Sequence, residues 1–174
     1  MMIAAVRGKE EMEAALASAV KIIFDLSPSI LTLKETVLAV HKAGKKLFIH
    51  IDLAEGIGKD KAGICFAKEA GVDGIISTRV NIIKVAREAG LFTVQRFFAV
   101  DSRSVHTTIE AVRSSRPDMV EIMPGIMEKV ISNLKKQITI PLIAGGLIET
   151  KEEVGRILAA GAAAVSSGKQ ELWG

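Results

Sequence analysis

The sequence predicts an α/β fold, a compact (β/α)8 barrel of the TIM type in one domain spanning residues 1–174. Three observations point there. Eight short runs of apolar and β-branched residues recur along the chain. They alternate with segments of helical spacing. Gly44, Gly71, Gly90 and Gly161 each follow an alanine where a helix should stop, and each leads straight into the next run, giving a weak internal repeat of one helix-strand unit.

The strand candidates, in order, are Ile3–Val6, Lys21–Leu26, Lys46–Leu53, Asp73–Thr78, Phe92–Phe98, Asp118–Met123, Pro141–Gly145 and Ala163–Ser167. Most read as unbroken hydrophobic runs, which suits parallel strands covered on both faces and argues against antiparallel hairpins. Helical spacing marks Glu10–Ala19, Ile30–Lys42, Ile82–Ala89, Val105–Ser115 and Val154–Ala160, and Thr150 with Glu153 has the form of a capping box. The rival architecture is an open doubly wound sheet. Eight units with no long crossover close more naturally into a barrel with every helix outside. At 174 residues each unit has about 22, so insertions must be few.

The length is too short for two ordinary domains. With 49% hydrophobic and 25% charged residues, the composition excludes a disordered chain. A net charge of +3 arises from 23 basic and 20 acidic residues without a cluster of one sign, so nucleic acid is neither required nor excluded. The single cysteine, Cys65, cannot form an internal disulfide and reads as helix packing, which fits a reducing cytoplasm. The apolar start Met1–Val6 stops at Arg7, short of a signal-peptide core. The longest uncharged apolar run, Ile138–Ile148, holds Pro141 and two glycines and is too short to span a bilayer. A soluble, cytoplasmic protein is expected.

A barrel carries its site at the C-terminal ends of its strands. Those ends hold Asp25, His50 and Asp52, Ser77 and Arg79, Gln95 and Arg96, and Glu121, a candidate polar ring. Alternation along a strand puts His50 and Asp52 on one face and groups Glu121 with Met119 and Met123, leaving Val120 and Ile122 to the helix layer. Strand seven ends in Gly145-Gly146 and strand eight in Ser166-Ser167-Gly168. Paired glycines let a backbone approach an anion, and barrels often bind phosphate at these two loops. The plainer readings are a tight turn at the glycines and structural ion pairs for Arg79 and Arg96.

Other chemistries fit less well. His50 and Asp52 make half a metal site, but no second histidine completes it with Glu121 or Asp25, so no metal is expected. Ser77, His50 and Asp52 lack the nucleophile-elbow pattern. Schiff-base chemistry needs a lysine in the site, yet Lys21, Lys45 and Lys46 fall at strand starts, and only Lys169 lies near the anion loops. His41 suits a helix dipole and His106 a solvated helix face. The remaining equipment, carboxylates beside anion donors, suits a small phosphorylated polyol; no catalytic residue and no cofactor are assigned.

The strings HIDLAEGIGKDKAG, DGIISTR, QRFFAVDS, VEIMPGIM, IPLIAGGLIET and ELWG extend this reading over nearly the whole chain. They resemble the glycerol-3-phosphate-responsive antiterminator family. The resemblance implies a bacterial regulator, not an enzyme, that senses glycerol 3-phosphate and promotes transcription past a leader terminator of glycerol-utilisation genes by binding leader mRNA. Placed on this ligand, Gly145, Gly146, Ser166, Ser167 and Gly168 would hold the phosphate. Asp52 and Glu121 would serve the glycerol hydroxyls and Arg79 and Arg96 the charge balance, with Asp25 and His50 completing the ring. The RNA side is thinner, with no RNP-type motif, no arginine-rich arm and only 4% aromatics. Lys129, Lys135 and Lys136, or Arg103, Arg113 and Arg116, are the candidate basic surfaces. A barrel enzyme (isomerase, synthase or phosphodiesterase) acting on a small phosphorylated metabolite is the alternative, and a phosphate-sugar binding protein with a protein partner is a third. Dimerisation is open, and Trp173 either packs across the barrel or joins an interface.

Overall fold

A computed structural model describes residues 1–174. The strands are β1 (Met2–Val6), β2 (Ile22–Asp25), β3 (Lys46–His50), β4 (Gly74–Ser77), β5 (Phe92–Phe98), β6 (Met119–Met123), β7 (Leu142–Gly145) and β8 (Ala164–Ser167). All pair in parallel, each with its neighbour in sequence, and β1 closes on β8. The helices between them are α1 (Lys9–Ala17), α2 (Leu33–Lys42), α3 (Lys61–Glu69), α4 (Val80–Glu88), α5 (Ser102–Ser115), α6 (Glu128–Gln137) and α7 (Lys151–Ala159). A single 3-10 turn, Gln170–Leu172, stands in place of an eighth helix. The predicted barrel is thus present, with its last helix reduced to one turn.

Two layers of apolar packing account for the unbroken hydrophobic runs. One parity of the strands fills the barrel with Ile3, Phe24, Phe48, Ile76, Val94, Ile143 and Ala164. Phe24 and Phe48 stack at 5.6 Å between ring centroids. Gly74 makes room for them, because a Cβ there would lie 2.7 Å from the Phe48 ring. The other parity packs outward. Ile23, Leu47, Ile49 and Ile75 meet Val37 and Val40 of α2 and Ile64 of α3. Val120, Ile122, Leu142 and Ala144 meet α5, α6 and α7 through Ile109, Ile131 and Ile157. With both faces buried at about 1.5–3 kcal/mol per large aliphatic side chain, the sheet has no polar face to alternate.

The lower rim, where strands begin, is sealed by short polar staples. Asp73 accepts hydrogen bonds from Lys46 Nζ at 2.9 Å, the Leu47 amide at 2.9 Å and His41 Nε2 at 2.8 Å. His41 therefore has a specific partner across the rim and does not simply face a helix dipole. Asp118 does the same for the amide and hydroxyl of Thr93, both at 2.8 Å. Lys45 is buried with its ammonium donating to the carbonyls of Ser18 and Val20. The three lysines near strand starts lie at this end, as expected.

Helix termination follows the sequence. Gly44, Gly71, Gly90 and Gly161 all hold the left-handed conformation, with φ of 69°, 94°, 80° and 113°, and α7 opens on the complete Thr150–Glu153 capping box. Two expectations fail. β3 stops at His50 and runs into a 3-10 turn, Ile51–Leu53, where the sequence suggested strand to Leu53. Cys65 is exposed on α3 and packs in no core.

Candidate functional site

The upper ends of β7 and β8 enclose a cavity of about 430 Å³ with those of β1, β5 and β6. Its polar lining comes from Arg7, Arg96, Glu121, Glu149, Ser166, Ser167 and Lys169, and its backbone lining from Gly146, Leu147 and Gly168. Ala5, Leu26, Met123 and Ile148 supply the apolar wall.

At the floor, Arg96 and Glu121 are opposite one another in the β5–β6 register. Both point into the barrel, so Glu121 does share parity with Met119 and Met123. Arg96 Nε donates to Glu121 Oε2 at 2.6 Å, and the Ser166 hydroxyl donates to Glu121 Oε1 at 2.5 Å. Glu121 is 1% exposed and Arg96 6%, so neither charge is paired by bulk water and the pair depends on itself. Gly145 is what allows this. A Cβ there would come within 2.5 Å of both Glu121 Oε1 and Ser166 Oγ.

His50 lies on the same inner parity, buried beside this pair, and its Nδ1 has no hydrogen-bond partner. Burial first, then the positive charge of Arg96, pushes its pKa down to about 4. The imidazole is neutral at pH 7, and its unpartnered Nδ1 is buried behind the cavity lining.

The two loops above are tied to each other. The Ser167 hydroxyl donates to the Ile148 carbonyl at 3.0 Å while accepting from the Lys169 amide at 3.1 Å. Lys169 Nζ lies 3.5 Å from Glu149 Oε1. Gly146 and Leu147 are both left-handed, with φ of 78° and 60°. The amides of Gly146, Leu147 and Gly168 donate to no acceptor within the protein. The start of α7, by contrast, is already answered, because Glu153 accepts from the amides of Glu149 and Thr150. An anion in this cavity meets loop amides, not the end of a helix. The protons of both serine hydroxyls are committed within the protein, so Ser166 and Ser167 shape the loops and leave donation to the backbone.

The structure therefore brings together Arg96, Glu121, Gly145, Gly146, Ser166, Ser167 and Gly168, with His50 beneath them. It does not bring in Asp25, Asp52 or Arg79. Asp25 shares the outward parity of Ile23 and lines a separate cavity between α1 and α2, where burial raises its pKa and the Ser27 amide only partly offsets this. Asp52 falls in the 3-10 turn after β3, so strand alternation with His50 no longer applies. Its carboxylate instead ties down the end of β4, accepting from the Ser77 hydroxyl and the Thr78 amide, each at 2.8 Å. Arg79 caps α4 with its guanidinium 3.8 Å from Asp52, half exposed and outside the lining. The complete inward ring from Asp25 to Glu121 is thus corrected to a narrower set. Arg7 was missed, although it closes β1 by the same rule that selected the other strand ends.

Comparison with known proteins agrees with this architecture. Residues 2–173 match the profile of the glycerol-3-phosphate responsive antiterminator family. The chain is 39% identical over 173 residues to the uncharacterized protein YgcP of Escherichia coli K12, covering 99% of this chain and 91% of that one. Among solved structures, the glycerol uptake operon antiterminator regulatory protein of Listeria monocytogenes superposes with a TM-score of 0.93 at 35% identity, covering 99% of this chain and 94% of that one. A glycerol uptake operon antiterminator-related protein of Thermotoga maritima gives 0.88 at 34% identity, covering 99% and 96%. With the match running from one end of the barrel to the other, the chain belongs to the glycerol-3-phosphate responsive antiterminator family.

Proposed function

We propose that the β7–β8 cavity binds glycerol 3-phosphate, and that its occupancy shifts this protein between two states of unequal affinity for the leader mRNA of glycerol-utilisation genes, acting in the cytoplasm. The observation that carries the ligand assignment is the meeting of free amides with three cations over one buried carboxylate. Gly146, Leu147 and Gly168 supply the amides, and Arg7, Arg96 and Lys169 face only Glu121 and Glu149 in the lining. A phosphate dianion brings the charge such a set lacks. The glycerol hydroxyls then lie toward Glu121, whose oxygens keep further lone pairs, with the neutral His50 buried behind it. The family membership supports a regulator that responds to this metabolite.

A ligand shifts an equilibrium only by its differential affinity for the two states, so the test has two arms. Calorimetry should detect binding of glycerol 3-phosphate with much weaker responses to glycerol and to inorganic phosphate. Arg7→Ala and Lys169→Ala should each weaken it by roughly 10- to 100-fold, the range of a charge-assisted hydrogen bond. Leader-RNA affinity should then change when glycerol 3-phosphate is added. RNA affinity indifferent to bound ligand would overturn the gating. Turnover of glycerol 3-phosphate, or of a diester of it, abolished in Glu121→Ala would favour the barrel-enzyme reading; no turnover is expected.

A further inference from the structure

The end of the barrel opposite the ligand cavity carries an uncompensated basic groove. It has a volume of about 720 Å³ and runs between the C-terminal end of α4, the α5–β6 corner and the α6–β7 corner. Arg87, Arg113 and Arg116 line it, all exposed. None of the three takes part in any of the ion pairs of the protein. The sole carboxylate in the lining, Asp118, is engaged by the amide and hydroxyl of Thr93. Gln137 and the exposed Thr139 add neutral polar groups on the far wall.

A second observation is the backbone of Arg116. It closes α5 in the left-handed conformation, with φ of 50° and ψ of 57°. At four other helix ends this chain places glycine in such a position: Gly44, Gly71, Gly90 and Gly161. Arginine carries a Cβ penalty there that glycine avoids. A residue kept in a disfavoured conformation points to use of its side chain.

We infer that Arg87, Arg113 and Arg116 form the docking groove for the phosphate backbone of the RNA. The assignment rests on the reading of this protein as a leader-RNA regulator and supplies the surface that reading lacks. Charge complementarity selects a polyanion, and the lining has no aromatic residue on which a base can stack. The groove therefore holds backbone and sets register, without reading sequence. Of the basic residues flagged on α5, Arg113 and Arg116 belong to it. Arg103 does not, because it sits at the opposite end of that helix.

The test measures fluorescence anisotropy of a labelled leader transcript, and of an unrelated hairpin of equal length, across a salt series. In Arg87→Gln/Arg113→Gln/Arg116→Gln the affinity for both RNAs should fall by roughly tenfold or more, and the slope of log affinity against log salt should drop by about two. Arg116→Gly guards against misfolding. It should melt at or above the wild-type temperature and still bind RNA more weakly. If wild type binds RNA and these variants match it in affinity and salt slope, the groove assignment is overturned while the regulator reading stands. If wild type binds glycerol 3-phosphate but no RNA, the regulator reading falls and the groove with it. Loss of binding to a polyglutamate peptide with RNA affinity unchanged would place an acidic protein there and also overturn the assignment.

Discussion

Glu121 and Arg96 make the residue-scale case that a buried charge pair specifies more than it stabilises. Removing one partner leaves the other charged and dry, so Glu121→Ala should cost about 3–5 kcal/mol in urea unfolding. Replacing both, as Arg96→Met with Glu121→Leu, should recover most of that stability and still abolish glycerol 3-phosphate binding. His50 gives a pH signature. Its pKa is lowered from 6.5 to about 4 in the folded protein, chiefly by burial and then by Arg96. As pH falls, the unfolded chain takes up the proton first, so stability present above pH 6.5 is lost as pH drops through 4. The loss amounts to roughly 3 kcal/mol, and His50→Gln should flatten that part of the curve. The inward direction of Glu121 was legible because Val120 and Ile122 flank it. Its partners were not, since Arg96 and Ser166 reach it only through the register of four strands, β5 to β8. Asp25 shows the opposite failure. A polar residue at a strand end was assumed to face the mouth, but Phe24 takes the inward place.

At the scale of the element, local chemistry reads well and continuation past an element's end reads poorly. Thr150 and Glu153 satisfy three amides at the start of α7 between them, and Thr150→Ala should lower the stability by about 1 kcal/mol in thermal unfolding. That box and the left-handed glycines were visible because each depends on residues three or four apart. The end of β3 was not. His50, Ile51 and Asp52 keep the hydrophobic alternation of a strand, but the chain coils into a 3-10 turn that carries Asp52 sideways onto β4. The sequence marks Gly145-Gly146 for close approach to an anion or for a tight turn, and the left-handed stretch runs one residue further. Its second left-handed residue is Leu147, 68% exposed. Leu147→Gly removes the Cβ penalty and should raise stability by about 1 kcal/mol.

At the scale of the whole molecule, the closed sheet separates two polar ends across one apolar interior, with the β7–β8 cavity above and the arginine groove below. β5 and β6 touch both, through Arg96 and Glu121 at one end and Thr93 and Asp118 at the other. Trp173 belongs to this scale too. It packs in the core at 2% exposure rather than on the surface, and its indole donates to the Ser167 carbonyl at 2.8 Å. The chain has one tryptophan and no tyrosine. Its ultraviolet emission therefore comes from a single indole wired to the rim of the ligand cavity. Glycerol 3-phosphate should change that emission with the same half-saturation that calorimetry gives, and a titration without response would place the ligand away from β8. On the proposed assignment, the protein carries its own optical gauge of occupancy, readable without a label.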